Sequence, residues 1–336
     1  MKADPIVVTS PNATRGSRRS FLGTALILLP ALLRDARAQP PAGVRRIAHV
    51  DAQTGDVEIF RERMSELGFS VPKNLEIRFF PVPSYPDIER HLRPAIAWNP
   101  HLVVAAGPSI PGVRKAFPKS VPVVFTRAGD ASGIVEILSR PGANMTGVSW
   151  SWEKGKWLEL ACRLVPGKKR FVGLVDKSTW DEEGRHHPIK FDSTEELGVD
   201  VKGMDVSSIP GGVRGALDSM RPGSFDALLT IGFYSEAVRA PTSAYVEFQR
   251  RTRIPCIMQS ESAVEQGAIM YRGPDSREQH RFAAEQAARI LKGAPAGELP
   301  VMRSTRFRVV LNRRSATEIG LKIPPDLLLL ADRVID

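Results

Sequence analysis

Two adjacent histidines beside three carboxylates are the residues of this sequence whose types could bind a metal. His186 and His187 follow Asp181, Glu182 and Glu183, and imidazole with carboxylate is a ligand set that suits zinc and similar ions. Neighbouring side chains point in different directions on any regular element, and the segment is polar. We therefore expect an exposed loop here and predict no metal site.

Catalytic and cofactor motifs are absent from the rest of the sequence. It contains no G-x-G-x-x-G after the first strand, no P-loop and no G-x-S-x-G elbow. Cys162 lies at helical spacing from apolar residues and Cys256 lies inside an apolar strand, so both are predicted to be small core residues. The two are not expected to pair, and they are too few for a disulfide scaffold. No catalytic residue and no cofactor is predicted, and the chain is not expected to be an enzyme.

The first 38 residues have the pattern of an export signal. Arg18 and Arg19 precede an apolar run over residues 23–33, which ends shortly before Ala36 and Ala38. A basic segment, a short apolar segment and a small-x-small site are typical of a secretory signal, and the arginine pair predicts the twin-arginine route. We expect cleavage after Ala38 and a periplasmic mature protein.

The charge of the chain predicts no nucleic-acid partner. The net charge is +10 over 336 residues, and residues 1–38 contain six Lys/Arg and two Asp/Glu, so cleavage lowers the net charge to +6. The remaining basic residues are dispersed beside apolar segments, which is typical of solvated faces. The 25% of charged and 42% of hydrophobic residues are ordinary for a globular protein. No stretch approaches the roughly 20 apolar residues of a membrane-spanning helix.

After residue 45, predicted strands and helices alternate, and the alternation occurs twice. Apolar runs such as 102–106 and 122–126 predict parallel strands buried on both faces, and helical spacing over 57–67 and 157–164 predicts the covering helices. The second series begins with a strand at 171–175. The predicted fold class is therefore α/β, with two Rossmann-like lobes, each a parallel sheet covered by helices. Ligands of such sheets bind beyond the carboxyl ends of the strands.

Several segments, in order along the chain, resemble a family of ABC-transporter substrate-binding proteins. They are Leu67-Gly68-Phe69, Lys73-Asn74-Leu75, Arg140-Pro141-Gly142-Ala143-Asn144-Met145-Thr146-Gly147, Ile290-Leu291-Lys292-Gly293-Ala294, Glu298-Leu299-Pro300-Val301, Ile319-Gly320-Leu321-Lys322-Ile323-Pro324 and Ala331-Asp332-Arg333-Val334-Ile335. The resemblance implies the type 1 periplasmic-binding fold, in which two lobes joined by a hinge close around a solute. It implies a first lobe over 45–150 completed by a helix in 274–300, and a second lobe over 151–273 completed by 301–336.

The candidate solute-binding residues follow the predicted strands. They are Gly107, Ser109, Asp130, Phe233, Tyr234 and Glu261, with Trp150 and Trp152 as hinge or cleft residues and Tyr271 as a weaker candidate. A helix start favours an anion, a carboxylate favours a cation, and aromatic side chains favour an apolar surface. A plain loop, a turn aspartate and core packing are the alternatives. The sequence departs from the family at these strand ends, so the identity of the ligand does not transfer.

Three functions are compatible with these patterns. The first is a monomeric extracytoplasmic receptor that captures an amino acid or related solute for an ABC permease. The second is a periplasmic sensing module for a membrane kinase or chemoreceptor. The third is a secreted enzyme with its active site between two lobes.

Overall fold

A computed structural model of the chain describes residues 43–51, 57–82, 88–129, 131, 133–150, 154–177, 194–230 and 239–336. The strands are β1 Arg45–Asp51, β2 Leu75–Pro81, β3 Leu102–Ala106, β4 Val123–Ala128, β5 Met145–Trp150, β6 Arg170–Val175, β7 Asp200–Asp205, β8 Ala227–Thr230, β9 Cys256–Met258, β10 Met270–Pro274, β11 Met302–Ser304, β12 Phe307–Asn312 and β13 Arg333–Ile335. The helices are α1 Val57–Glu66, α2 Ile88–Ala97, α3 Ile110–Ala116, α4 Lys154–Leu164, α5 Thr194–Leu197, α6 Gly212–Ser219, α7 Thr242–Thr252, α8 Glu261–Glu265, α9 Ser276–Leu291, α10 Arg313–Glu318 and α11 Pro325–Leu330.

The first sheet has six parallel strands in the order β11-β5-β4-β3-β1-β2. All five residues of β3 are buried, because helices cover both faces of the sheet. One face packs against α1 and α9, whose Phe60, Met64 and Ala284 meet Ile47 and Val104 of the strands. The other face packs against α2 and α3.

The second sheet has seven strands in the order β13-β12-β10-β9-β8-β6-β7. The ladder from β7 to β10 is parallel, and β12 pairs antiparallel with β10. On one face, Trp157 and Leu164 of α4 pack with Leu327 of α11. On the other face, Leu217 of α6 packs with Phe248 of α7. Each sheet with its helices is a lobe, and the predicted α/β class is confirmed.

The last part of the chain serves both sheets. Helix α9 packs on the first sheet, and β12 and β13 belong to the second. Strand β11 pairs with β5 in the first sheet, with Met302 opposite Val148, whereas the prediction placed everything from residue 301 onward in the second lobe. A three-residue strand has too little hydrophobic pattern to reveal which sheet it joins.

Candidate functional site

Three chain connections join the carboxyl edges of the two sheets. Strand β5 leaves the first sheet at its carboxyl end toward α4, and β11 leaves the same edge at Ser304 toward β12. Strand β10 leaves the second sheet at its carboxyl end, Pro274, toward α9. Parallel strands end on one edge of a sheet, so all three connections join the two carboxyl edges. Open α/β sheets bind their ligands at this edge.

Two of these connections are held together by one carboxylate. Glu278, in the first turn of α9, accepts hydrogen bonds from Ser304 Oγ at 2.6 Å, Thr305 N at 3.2 Å and Arg306 N at 3.1 Å. The backbone N–H of Asp275 donates to the carbonyl oxygen of Arg306 at 2.8 Å. The connection after β10 and the connection after β11 therefore form a single joint.

A pair of aromatic rings lies beside this joint. The rings of Trp150, at the end of β5, and Phe307, at the start of β12, meet edge to face with centroids 6.2 Å apart. The guanidinium of Arg272 lies 4.5 Å from the centroid of the Phe307 ring. Trp150 thus contacts a residue of the other sheet where the lobes are connected; its role as a hinge or cleft residue stays a prediction.

The carboxyl end of β3 begins a short helical segment, as the sequence predicts. Gly107 has φ +53° and starts a 3-10 turn that leads into α3. The hydroxyl of Ser109 is buried and donates to the carbonyl oxygen of Ala106 at 2.9 Å. The carbonyl oxygen of Val50 lies 3.4 Å from the same hydroxyl. The hydroxyl proton of Ser109 is directed at main-chain carbonyls in this structure. Contact of Gly107 and Ser109 with a solute stays a prediction.

The end of β4 carries an ion pair that the sequence did not reveal. Nη1 of Arg127 donates to both carboxylate oxygens of Asp51, at 3.0 Å and 2.8 Å. The Asp51 side chain is 3% exposed and that of Arg127 is 24% exposed. Arg127 has φ +56°, a left-handed conformation that non-glycine residues rarely adopt. A charged residue at each of two buried strand ends is the signal that could have indicated the pair.

A buried histidine lies beneath this edge. His49, two residues before Asp51 in β1, is 0% exposed and packs between Phe60, Phe79 and His280, with ring centroids about 6 Å apart. Burial, together with the nearby His280 and the positive charge of Arg127, lowers the pKa of His49 to about 3. Among the described residues, neither ring nitrogen of His49 has a hydrogen-bond partner. The imidazole is therefore neutral at ordinary pH.

Glu261 follows β9 at the carboxyl edge of the second sheet, where it pairs with arginines. Its carboxylate accepts from Nη1 of Arg308 with both oxygens, at 3.0 Å each, and lies 3.6 Å from Arg333. These contacts connect α8 with β12 and β13. Tyr271 is buried, and its hydroxyl donates to the carbonyl oxygen of Pro274 at 2.9 Å. Solute contact by either residue stays a prediction.

The other sequence-predicted residues lie outside the described part of the chain. They are Asp130, Trp152, Phe233, Tyr234, the loop containing His186 and His187, and the export-signal residues Arg18, Arg19, Ala36 and Ala38. Within the described ranges, no group of three or more His, Cys, Asp or Glu side chains could hold a metal ion. Across those same ranges, none of the helices has the length and apolar character needed to cross a membrane.

Both cysteines are free thiols. Burial raises the pKa of Cys162 to about 11, and full burial in β9 raises the pKa of Cys256 further. The Cys256 thiol donates to the carbonyl oxygen of Tyr245 at 3.5 Å. Cys256 is a buried core residue, as predicted, whereas Cys162 is only partly buried against the core. Neither thiol has the lowered pKa of a reactive nucleophile.

Comparison with known proteins agrees with this architecture. Residues 44–335 match the family described as ABC transporter substrate binding protein. A tyrosine-binding protein of Clostridioides difficile (strain R20291) is 24% identical over 299 residues, covering 86% of this chain and 83% of that protein. A conserved domain protein of Vibrio cholerae has a similar fold, with a TM-score of 0.75 at 21% identity, over 87% of this chain and 99% of its own. An ABC domain of Streptococcus pneumoniae in complex with L-Trp has a TM-score of 0.72 at 22% identity, and the match covers 87% of this chain and 100% of that chain.

The fold is that of the periplasmic binding proteins: two α/β lobes joined at the carboxyl edges of their sheets. Because the family match spans nearly all of the chain after residue 43, the protein belongs to the ABC transporter substrate-binding family. The resemblance inferred from the sequence is thereby confirmed.

Proposed function

We propose that this protein is the extracytoplasmic solute receptor of an ABC import system. It binds one small organic solute, an amino acid or a related compound, between its two lobes and delivers it to a membrane permease. The observation that carries the proposal is the family match over residues 44–335, together with two sheets joined at their carboxyl edges. The protein acts as a monomer and performs no catalytic turnover.

The solute class is supported by two relatives. One is named as a tyrosine-binding protein and another is a complex with L-Trp. Both are below 25% identity, so they support an amino-acid-like solute without specifying its side chain. In this proposal Gly107 and Ser109 of the first lobe contact the solute, and Asp130 lies beside its cationic group. From the second lobe the solute is contacted by Phe233, Tyr234 and Glu261.

Binding proceeds by lobe closure. The first lobe, over 45–150 with α9, and the second lobe, over 151–273 with β12 and β13, rotate toward each other about the hinge near Trp150 and Trp152. Closure expels water and adds contacts from both sides. Residues 1–38 act as a twin-arginine export signal that is cut after Ala38, so the receptor works in the periplasm.

Native mass spectrometry of protein purified from its own periplasm tests the function directly. We expect one small molecule per chain, and addition of that molecule to stripped protein should reduce the radius of gyration in X-ray scattering. Heat-denatured protein incubated with the same molecule is the control for adventitious binding. An unchanged radius of gyration at saturation contradicts closure, and chemical conversion of the molecule contradicts a receptor without turnover.

A further inference from the structure

The first sheet has a second edge, the amino edge, where its strands begin. Because all six strands are parallel, the residues that precede them lie together at this edge. Strand β1 is seven residues long, so the amino edge is about 20 Å from the carboxyl edge at a rise of about 3.3 Å per residue. A partner bound at the amino edge therefore leaves the carboxyl edge free.

The amino edge collects basic side chains from distant parts of the chain. They are Arg45 and Arg46 at the start of β1, Lys73 before β2, His101 before β3 and Lys119 before β4. The segments 67–74, 98–101 and 117–122, which lead into β2, β3 and β4, contain no Asp or Glu. These residues are dispersed in the sequence, and the parallel sheet brings them to one edge.

The positive charge over β1 to β4 is not neutralised by carboxylates. Within the described part of the chain, none of the four Arg and Lys side chains just named forms a salt bridge. Burial and the positive charges of Arg45 and Arg46 lower the pKa of His101, as expected where like charges accumulate. At the other end of the edge, Arg140 and Glu298 lie 4.0 Å apart and balance each other.

A partly exposed tryptophan stands among these basic residues. The guanidinium of Arg46 lies 5.9 Å from the centroid of the Trp98 ring, and that of Arg78 lies 4.8 Å from it. Arg78 is itself paired with Glu76 at 3.1 Å. Tryptophan is enriched where proteins meet the interface between a membrane and water.

Exposed apolar side chains are concentrated at the same edge. Among the described residues six large apolar side chains are exposed, and four of them lie here, with exposed fractions from 41% to 57%. They are Val44 before β1, Val71 before β2, and Ile137 and Leu138 in the segment before β5. The carbonyl oxygen of Leu138 accepts from the N–H of Val301, directly before β11, at 2.8 Å, which places this segment at the amino edge. A group of exposed apolar side chains marks an interaction surface.

The corresponding edge of the second sheet lacks this combination. There the carboxylate of Asp226 accepts from the N–H groups of Lys169 and Arg170 and pairs with the guanidinium of Arg170 at 3.2 Å. The remaining two exposed apolar side chains, Leu329 and Leu330, come shortly before β13. Strand β13 runs opposite to β10, so it begins at the carboxyl edge.

Basic and apolar side chains interspersed along one edge suit an anionic lipid surface. The six strands span about 24 Å at about 4.8 Å per spacing, with basic residues before β1 to β4 and apolar residues before β1, β2 and β5. Lys and Arg attract anionic headgroups, and apolar side chains between them enter the headgroup region. A fluid layer of headgroups adapts to such a surface, whereas a folded partner would have to match several loops in shape.

We propose that the amino edge of the first sheet binds the anionic headgroups of a phospholipid bilayer and holds the processed protein at the membrane surface. This interaction goes beyond the proposed solute-receptor function, because it involves no solute. The bound protein keeps the carboxyl edges of its sheets away from the lipid.

Co-sedimentation with lipid vesicles tests this proposal. The protein is the processed chain from Gln39, because residues 1–38 contain basic and apolar residues of their own and residues 39–336 form a compact unit. One set of vesicles is phosphatidylcholine alone, and the other is an equal mixture with phosphatidylglycerol. The mixed vesicles should bind the protein at least roughly 10-fold more tightly, and added salt should weaken that binding.

Variants at exposed positions locate the surface. Lys73→Gln combined with Lys119→Gln should weaken binding to mixed vesicles roughly 25-fold, since each basic residue near an anionic surface contributes roughly 5-fold. Ile137→Ser replaces the most exposed apolar side chain of the edge, at 57%, and should weaken binding by at least roughly 3-fold. The matched control is Arg221→Gln with Lys322→Gln, which removes the same charge from exposed positions of the second lobe and should cost less than roughly 3-fold.

Several outcomes overturn the proposal. Equal binding to both kinds of vesicle does so, and so does the absence of sedimentation with either, which would leave an acidic protein as the occupant of the edge. Equal losses in the two double variants would assign the attraction to overall charge, and wild-type binding by Ile137→Ser would refute the apolar contribution. If a variant does not fold, the wild-type preference between the vesicles decides. None of these results bears on the solute receptor, because the assay contains no solute.

Discussion

Mild acid is expected to destabilise the first lobe through His49. The imidazole is fully buried against Phe60, Phe79 and His280, and its pKa in the folded protein is about 3. In the unfolded chain the pKa of a histidine is about 6.5. Between these two values the unfolded chain takes up a proton that the folded protein refuses, so the free energy of unfolding falls as the pH falls.

The size of the effect follows from the two pKa values. Each pH unit below about 6.5 costs up to about 1.4 kcal/mol for one such group. Between pH 7 and pH 5, His49 alone should therefore lower the free energy of unfolding by about 2 kcal/mol. The loss should continue until the pH approaches 3, where the folded protein also binds the proton.

The measurement is a urea titration followed by circular dichroism at pH 7, 6 and 5. His49→Phe places an apolar ring in the same aromatic surroundings and cannot be protonated, so its pH slope should be shallower than that of the wild type by about 1 kcal/mol per pH unit. His91→Phe, at a partly exposed histidine of α2, is the matched control and should keep the wild-type slope. Equal slopes for wild type and His49→Phe would refute the reasoning, whatever the stability of the variant at pH 7.

Three further predictions concern other parts of the chain. Gly147→Ala should lower the free energy of unfolding by about 1–3 kcal/mol in urea titrations, because a Cβ at Gly147 would overlap the carbonyl oxygen and ring of Phe125. Gly133→Ala, at a position with open space around it, is the control. Equal stability of the two variants contradicts the clash. At pH 8, Cys256 should react with a thiol reagent only after unfolding, and Cys162 should react slowly in the native protein. The reason is that burial raises the pKa of both thiols. Rapid modification of two thiols in the native protein would disprove this. Replacement of Arg18 and Arg19 by lysines should leave uncleaved precursor in the cytoplasm. The control variant Arg15→Lys should be exported and processed, with Gln39 at the mature N-terminus by Edman sequencing. Normal processing of the double variant argues against the twin-arginine route.

The parts of the fold that could be predicted are those in which hydrophobic pattern decides structure. The runs at 102–106 and 122–126 are continuous because β3 and β4 are buried on both faces. Gly68 ends the turn after α1 with φ +93°, as its position predicts. By contrast β11 and β13 are three residues long, and so short a segment carries no periodicity.

The site was harder to predict because its contacts join distant segments. The topology indicates that Ser109 follows a buried strand, but not that its hydroxyl donates to Ala106. Asp51 and Arg127 are 76 residues apart, and their contact depends on the strand order, which sequence alone does not determine. Glu261 meets arginines of β12 and β13 for the same reason.

The carboxylate of Glu278 has a consequence for the lobe closure proposed above. Because it binds the backbone of residues 305 and 306 to the first turn of α9, the two connections at this joint cannot bend independently. They act as one pivot, and the connection after β5 is the second point of attachment. A body attached at two points turns about the line between them, so the closure proposed above would be a single swing, with sideways twist resisted. In the proposed import system, a permease would then distinguish the empty and loaded forms of the protein by one angle.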